Sequence, residues 1–97
     1  MWLVVKQDVW DSKAIRNPRD LRGKRMDGTS PGSEGWFLAR HVMTLGALQP
    51  SDLTFTTRFS NPADWLLAMR NNVTDVQAAF EPTVTQLEAQ HLGHRWM

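Results

Sequence analysis

Ninety-seven residues, 41% of them apolar and five of them Trp, allow one domain with a modest core. Eleven Lys and Arg against ten Asp and Glu leave a net charge of +1, which provides no electrostatic footprint for nucleic acid. The absence of cysteine excludes disulfides, thiolate metal sites and a cysteine nucleophile.

No apolar run approaches the ~20 residues that a membrane helix needs. The opening Met1-Trp2-Leu3-Val4-Val5-Lys6 has neither the basic start nor the long apolar core of a signal peptide, so the chain as written is expected to stay where it is made. Trp2-Leu3-Val4-Val5 is β-rich and continuous and reads as a short strand ended by Lys6-Gln7-Asp8. Asp11 to Ile15 is too short and polar for more than a turn or a stub of helix. Asn17-Pro18 is turn chemistry, and Pro18 to Leu21 makes one helical turn that Gly23 stops. The basic residues Arg16, Arg19, Arg22, Lys24 and Arg25 are interrupted by Asp20 and read as a solvated turn. Lys24-Arg25-Met26 begins a second strand, expected to be short or distorted because Asp27-Gly28 arrives early.

Glu34 to Leu45 is the clearest helix, with Leu38, Val42 and Leu45 on one face and Ala39 and Trp36 or Phe37 flanking it. Ser33 is its natural N-cap, Glu34 suits the positive end of its dipole, and Gly46 is a suitable residue just past its end. Gln49 to Asp52 turns into Leu53-Thr54-Phe55-Thr56-Thr57, whose alternation predicts a strand. Ser60-Asn61-Pro62 caps a helix with Ala63, Leu66, Leu67 and Met69 as its apolar set, ended by Asn71-Asn72. Val73 to Phe80 reads as a full strand. Glu81-Pro82 then starts a last helix through Val84 and Leu87 toward His91, closed by Gly93, with Trp96 and Met97 frayed.

Alternating strands and helices of these lengths predict an α/β fold with a mainly parallel sheet and flanking helices. Ligands in such folds lie beyond the carboxyl ends of the strands. The loops expected there are Thr29–Gly35, Phe59–Pro62 and Phe80–Pro82, which converge. Ser30-Pro31-Gly32-Ser33 is the focus, because a small-residue loop opening a helix presents backbone N–H groups without intrahelical partners to an anion.

Two other chemistries fit poorly. Ser33-Glu34-Gly35 imitates a hydrolase nucleophile elbow, but Pro31 stands where that pattern needs Gly. Glu88, His91 and His94 step by three toward the end of the last helix, but Gly93 breaks the register and His there serves the helix carbonyls. His41 is a boundary residue of its helix.

Asp20-Leu21-Arg22-Gly23-Lys24-Arg25, Ser30-Pro31-Gly32-Ser33, Leu48 to Thr54, Asn61-Pro62-Ala63-Asp64, and Asp75 followed six residues later by Glu81-Pro82 stand in order along the chain. Together, over about Leu3 to Gly93, they resemble the second lobe of the substrate-binding proteins that serve ABC importers, in the nitrate, sulfonate, taurine and thiamine-pyrimidine-precursor group. Met26-Asp27-Gly28 departs from that pattern, which has an apolar strand there.

The resemblance implies one lobe, residues 1–97, of a two-lobed, three-layer protein that is periplasmic at full length and holds its ligand in an inter-lobe cleft. It implies a small anionic or polar ligand (nitrate, sulfonate, pyrimidine or aromatic acid), an ABC permease as partner, no cofactor and no catalysis. The candidate ligand-binding residues are Thr29, Ser30, Gly32, Ser33, Asn61, Phe80 and Glu81. Ser30, Gly32 and Ser33 would offer hydroxyl and backbone donors, with Phe80 or Trp36 as an apolar wall. Glu81 would select a donor or cation, or would only cap the helix before Pro82. Surface normally covered by the other lobe would favour self-association. The alternatives are an enzyme of thiamine-pyrimidine-precursor synthesis on the same fold, which needs a cleft His or Lys, and the effector-sensing lobe of a regulator, which needs a helix-turn-helix.

Overall fold

The computed structural model describes residues 1–27, 32–55 and 62–97. Among the described residues five strands and four helices follow one another: β1 (Trp2–Lys6), α1 (Gln7–Asp11), β2 (Arg25–Asp27), α2 (Glu34–Leu45), β3 (Thr54–Phe55), α3 (Pro62–Arg70), β4 (Val76–Ala79), α4 (Thr83–Ala89) and β5 (Gly93–Arg95). Short 3-10 turns at Pro18–Leu21 and Pro50–Asp52 link them.

The strands form one sheet in the order β3-β2-β4-β1-β5. β2 pairs in parallel with β3 and β4, and β1 pairs antiparallel with β4 and β5. Four strands therefore share one direction, and β1 alone is reversed. The helices make it a three-layer α/β fold, as expected.

Alternation along the strands separates two cores. Leu3, Val5, Met26, Val76 and Ala78 face α2, where they meet Ala39, Val42 and Met43 together with Ile15, Leu21, Leu48 and Leu53. Val4 and Ala79 face α3 and α4, against Met69, Val84 and Leu87. Leu3, Val4 and Val5 are all fully buried, which is why β1 reads as a continuous apolar run rather than an alternating one.

The buried face of α2 is Gly35, Ala39, Val42 and Met43, one position round from the expected stripe, with Leu38 only partly covered. Phe37 and Leu45 are 61% and 56% exposed. The small residues Gly35 and Ala39 let the helix close on the sheet in a way that Phe37 and Leu45 would prevent. Likewise α3 buries Ala68 and Met69 and leaves Leu67 exposed. The proposed cap residues Ser60 and Asn61, and Thr56 and Thr57 of the expected third strand, lie outside the described residues.

Two glycines serve otherwise than expected. Past α2 the left-handed position is taken by Ala47 (φ 57°), while Gly46 has φ −91°. A Cβ on Gly46 would lie 2.7 Å from the Arg19 backbone nitrogen, so this glycine admits the Pro18–Arg19 turn against the helix end. After α4 it is His91 (φ 55°) that turns the chain, and Gly93 opens β5. A Cβ there would stand 2.5 Å from Val4 Cγ1, so the edge strand closes on β1 only with glycine. Nor are Trp96 and Met97 frayed: the Trp96 N–H donates to Leu3 O at 3.0 Å and the Leu3 N–H to Met97 O at 2.6 Å.

The basic residues are not simply a solvated turn. Arg22 pairs with Asp52 at 2.9 Å, and Arg16 lies 4.0 Å over the Trp10 ring. Arg25 grips Asp75 through Nε at 3.1 Å, Nη2 at 2.9 Å and its backbone N–H at 2.8 Å, and donates through Nη1 to Asn72 O at 2.7 Å. This fork holds the start of β2 to the turn before β4. The strand expected from Val73 begins at Val76, directly after Asp75, whose N–H donates to Arg25 O at 3.0 Å and whose carbonyl accepts from the Lys6 N–H at 2.9 Å.

Burial pushes the Asp75 carboxyl up, but the Arg25 hydrogen bonds outweigh it and hold the group below its ordinary value. A lowered folded-state value means that Asp75 contributes its full stability above the unfolded-chain pKa of about 3.9 and loses it as pH falls through the folded value. Replacing it with Asn (Asp75→Asn) is expected to cost about 2 kcal/mol at pH 7, typical of charge-assisted hydrogen bonds. Urea unfolding at a series of pH values checks both the loss and a flatter acid limb.

Candidate ligand-binding edge

The carboxyl ends of β2, β4 and β5 lie at one end of the sheet, and the reversed β1 places its first residue there too. Ser33 caps α2, its Oγ accepting from the Trp36 N–H at 3.2 Å, and Gly32 before it has φ 83°. The cap occupies one first-turn N–H, so anion binding by this helix end falls to the donors ahead of Trp36. The Trp36 ring packs edge-on to Phe37 at 4.9 Å and lies under Arg40 at 4.8 Å.

Across the sheet, Phe80 and Glu81 follow β4 at the same end, with Phe80 44% exposed. Glu81 is committed locally. Its Oε2 accepts from the Thr85 hydroxyl at 2.6 Å and the Thr85 N–H at 3.3 Å, and its Oε1 pairs with Arg95 Nη2 at 2.6 Å. The Thr85 hydroxyl first, and the Thr85 N–H and Arg95 with it, hold the carboxyl below its ordinary value against a desolvation penalty. Glu81 thus tethers the first turn of α4 from the position before the cap, rather than as the N-cap itself. The helix itself starts at Thr83 with Pro82 in the cap position.

The structure brings Gly32, Ser33, Phe80 and Glu81 to one edge. Thr29, Ser30 and Asn61 lie outside the described residues. Sequence reasoning missed Arg95 and Trp2. Arg95 donates also to Glu88 at 3.1 Å and lies 4.7 Å over the Trp2 ring. Both were hidden by the unrecognised β5, whose only signal is Gly93 followed by three residues with polar and aromatic side chains. Beneath the edge, Asp27 and Gln77 are register neighbours and fully buried. Of the residues considered for a metal, His94 stacks on Trp10 at 4.0 Å and Glu88 holds Arg95.

Substituting the α2 cap (Ser33→Ala) is expected to cost about 1 kcal/mol, the usual worth of a serine N-cap. Thermal unfolding followed by circular dichroism checks it.

No protein-family profile matches the chain, and neither does any curated protein sequence. Solved structures do. The alkanesulfonate-binding protein SsuA from Xanthomonas axonopodis pv. citri, bound to MOPS, superposes with a TM-score of 0.80 at 23% identity, over 99% of this chain and 31% of its own. A protein from Bordetella bronchiseptica RB50 gives 0.82 at 22% identity, over 97% of this chain and 29% of its own. The periplasmic aliphatic sulphonate binding protein SsuA from Escherichia coli gives 0.78 at 20% identity, over 97% and 30%. The chain therefore has the fold of one lobe of these proteins and spans about 30% of their length.

Proposed function

We propose that this chain is a ligand-holding lobe of a solute-binding protein of an ABC import system, and that it takes a small anionic or polar ligand, with sulfonates favoured. The observation that carries the reading is the placement of Gly32, Ser33, Phe80 and Glu81 at one edge of a sheet with the fold of alkanesulfonate-binding proteins. Binding would come from fixed donors at the start of α2 and an apolar wall at Phe80, with no bond made or broken. A permease would read the closed form of the whole two-lobed protein, in the periplasm. With one lobe supplying part of the contacts, affinity of the isolated chain should be weak, about millimolar.

Titrating the isotope-labelled chain with butanesulfonate and following amide shifts by NMR tests this. Saturable shifts centred on Gly32, Ser33, Phe80 and Glu81 are expected. Shifts confined to the opposite end of the sheet, around Lys6, Arg70 and His91, contradict the reading.

The exposed Phe80, Phe37 and Leu67 are apolar surface of the kind that other protein covers. On the same reading the isolated chain should self-associate weakly, and a clean monomer at high concentration by sedimentation counts against that part.

A further inference from the structure

We infer that Arg95 is the positioning residue that sets the charge preference of this edge. It clamps the Glu81 carboxylate against β5 and α4, so that an incoming ligand meets a carboxylate held in an ion pair rather than an open one. The inference deepens the ligand-edge reading above and rests on it.

The geometry leaves little of Glu81 to recruit a cation. One carboxylate oxygen is held by the Arg95 guanidinium at 2.6 Å and the other by the Thr85 hydroxyl at 2.6 Å and the Thr85 N–H at 3.3 Å. Arg95 is itself fixed from three sides. Its strand position opposite Val4 sets where the side chain starts, the Trp2 ring supports the guanidinium at 4.7 Å, and Glu88 holds the same nitrogen at 3.1 Å. A planar guanidinium so braced keeps its partner in one place, which a flexible ammonium does poorly. Glu88, near the end of α4, accepts from the same Arg95 nitrogen as Glu81 and so braces the guanidinium from a second side. One cation thus answers two carboxylates, Glu81 and Glu88, and holds both in ion pairs. Without the Arg95 charge both carboxylates would stand open, a like-charge juxtaposition that opposes the binding of an anionic headgroup.

The test uses the 97-residue chain with Arg95→Gln, Arg95→Lys and Glu81→Gln, and two probes, butanesulfonate and the aminosulfonate taurine. In Arg95→Gln the side-chain carboxyl of Glu81, followed by NMR, should titrate at higher pH than in the unsubstituted chain. Affinity for butanesulfonate should fall roughly tenfold relative to that for taurine. Arg95→Lys should recover part of both effects. Glu81→Gln should keep butanesulfonate binding and make it insensitive to a second change at Arg95. An unmoved Glu81 titration in Arg95→Gln, or an unchanged ratio of the two affinities, overturns the inference. If neither sulfonate binds the unsubstituted chain, the ligand-edge reading fails, and the charge preference with it. The Glu81 titration then still decides whether the clamp exists.

Discussion

The structure depends on one reversed strand. β1 lies between β4 and β5, antiparallel to both, and its Leu3, Val4 and Val5 are fully buried. Each such side chain contributes about 1.5–3 kcal/mol by burial, and because both faces of β1 are covered it joins the two cores. Leu3 and Val5 pack under α2, and Val4 packs under α3 and α4. Reversal has a second effect. The start of β1, not its end, lies at the carboxyl ends of its neighbours, and so Trp2 reaches the edge where Phe80, Glu81 and Arg95 stand. The closing Trp96 and Met97 are bonded to Leu3 and complete the pairing.

Much of this fold is legible in the residues. Apolar periodicity and turn chemistry locate β1, β2, α2, α3, β4 and the start of α4 within a few positions, and Ser33 is the cap its type suggests. The misreadings have a common cause, because local pattern does not reveal what a residue meets across the fold. Gly46 and Gly93 resemble helix terminators, yet each is required by a neighbouring chain that comes too close for a Cβ. The left-handed turns fall instead to Ala47, which has no propensity for them, and to His91. The three residues of β5 are too few to announce a strand, and only pairing to β1 makes them one. Arg25 looks like one of several surface cations until Asp75, fifty residues later, is placed against it.

The surroundings of the candidate edge were legible only in part. The rule that ligands lie beyond the strand ends, together with the helix-opening Gly32-Ser33, pointed to the end of the sheet where Phe80 and Glu81 follow β4. The company that Glu81 keeps was not legible. An acid before proline suggests a cap or a ligand contact, whereas its partners are Thr85 one turn on and Arg95 fourteen residues away. The long pairing decides what the carboxylate presents, and it arises from tertiary structure alone. A shared fold at 20–23% identity says nothing about such a pairing, which belongs to the particular residues of this chain.

Amide hydrogen exchange in the native state tests the role of β1 most directly. If β1 holds the sheet together, the hydrogen-bonded amides of β1, β4 and β5, with Trp96, will exchange with one common free energy equal to that of global unfolding. If β1 itself, with β5 and Trp96, exchanges at much lower cost while β2 and β4 stay protected, β1 is dispensable to the sheet and the account is wrong.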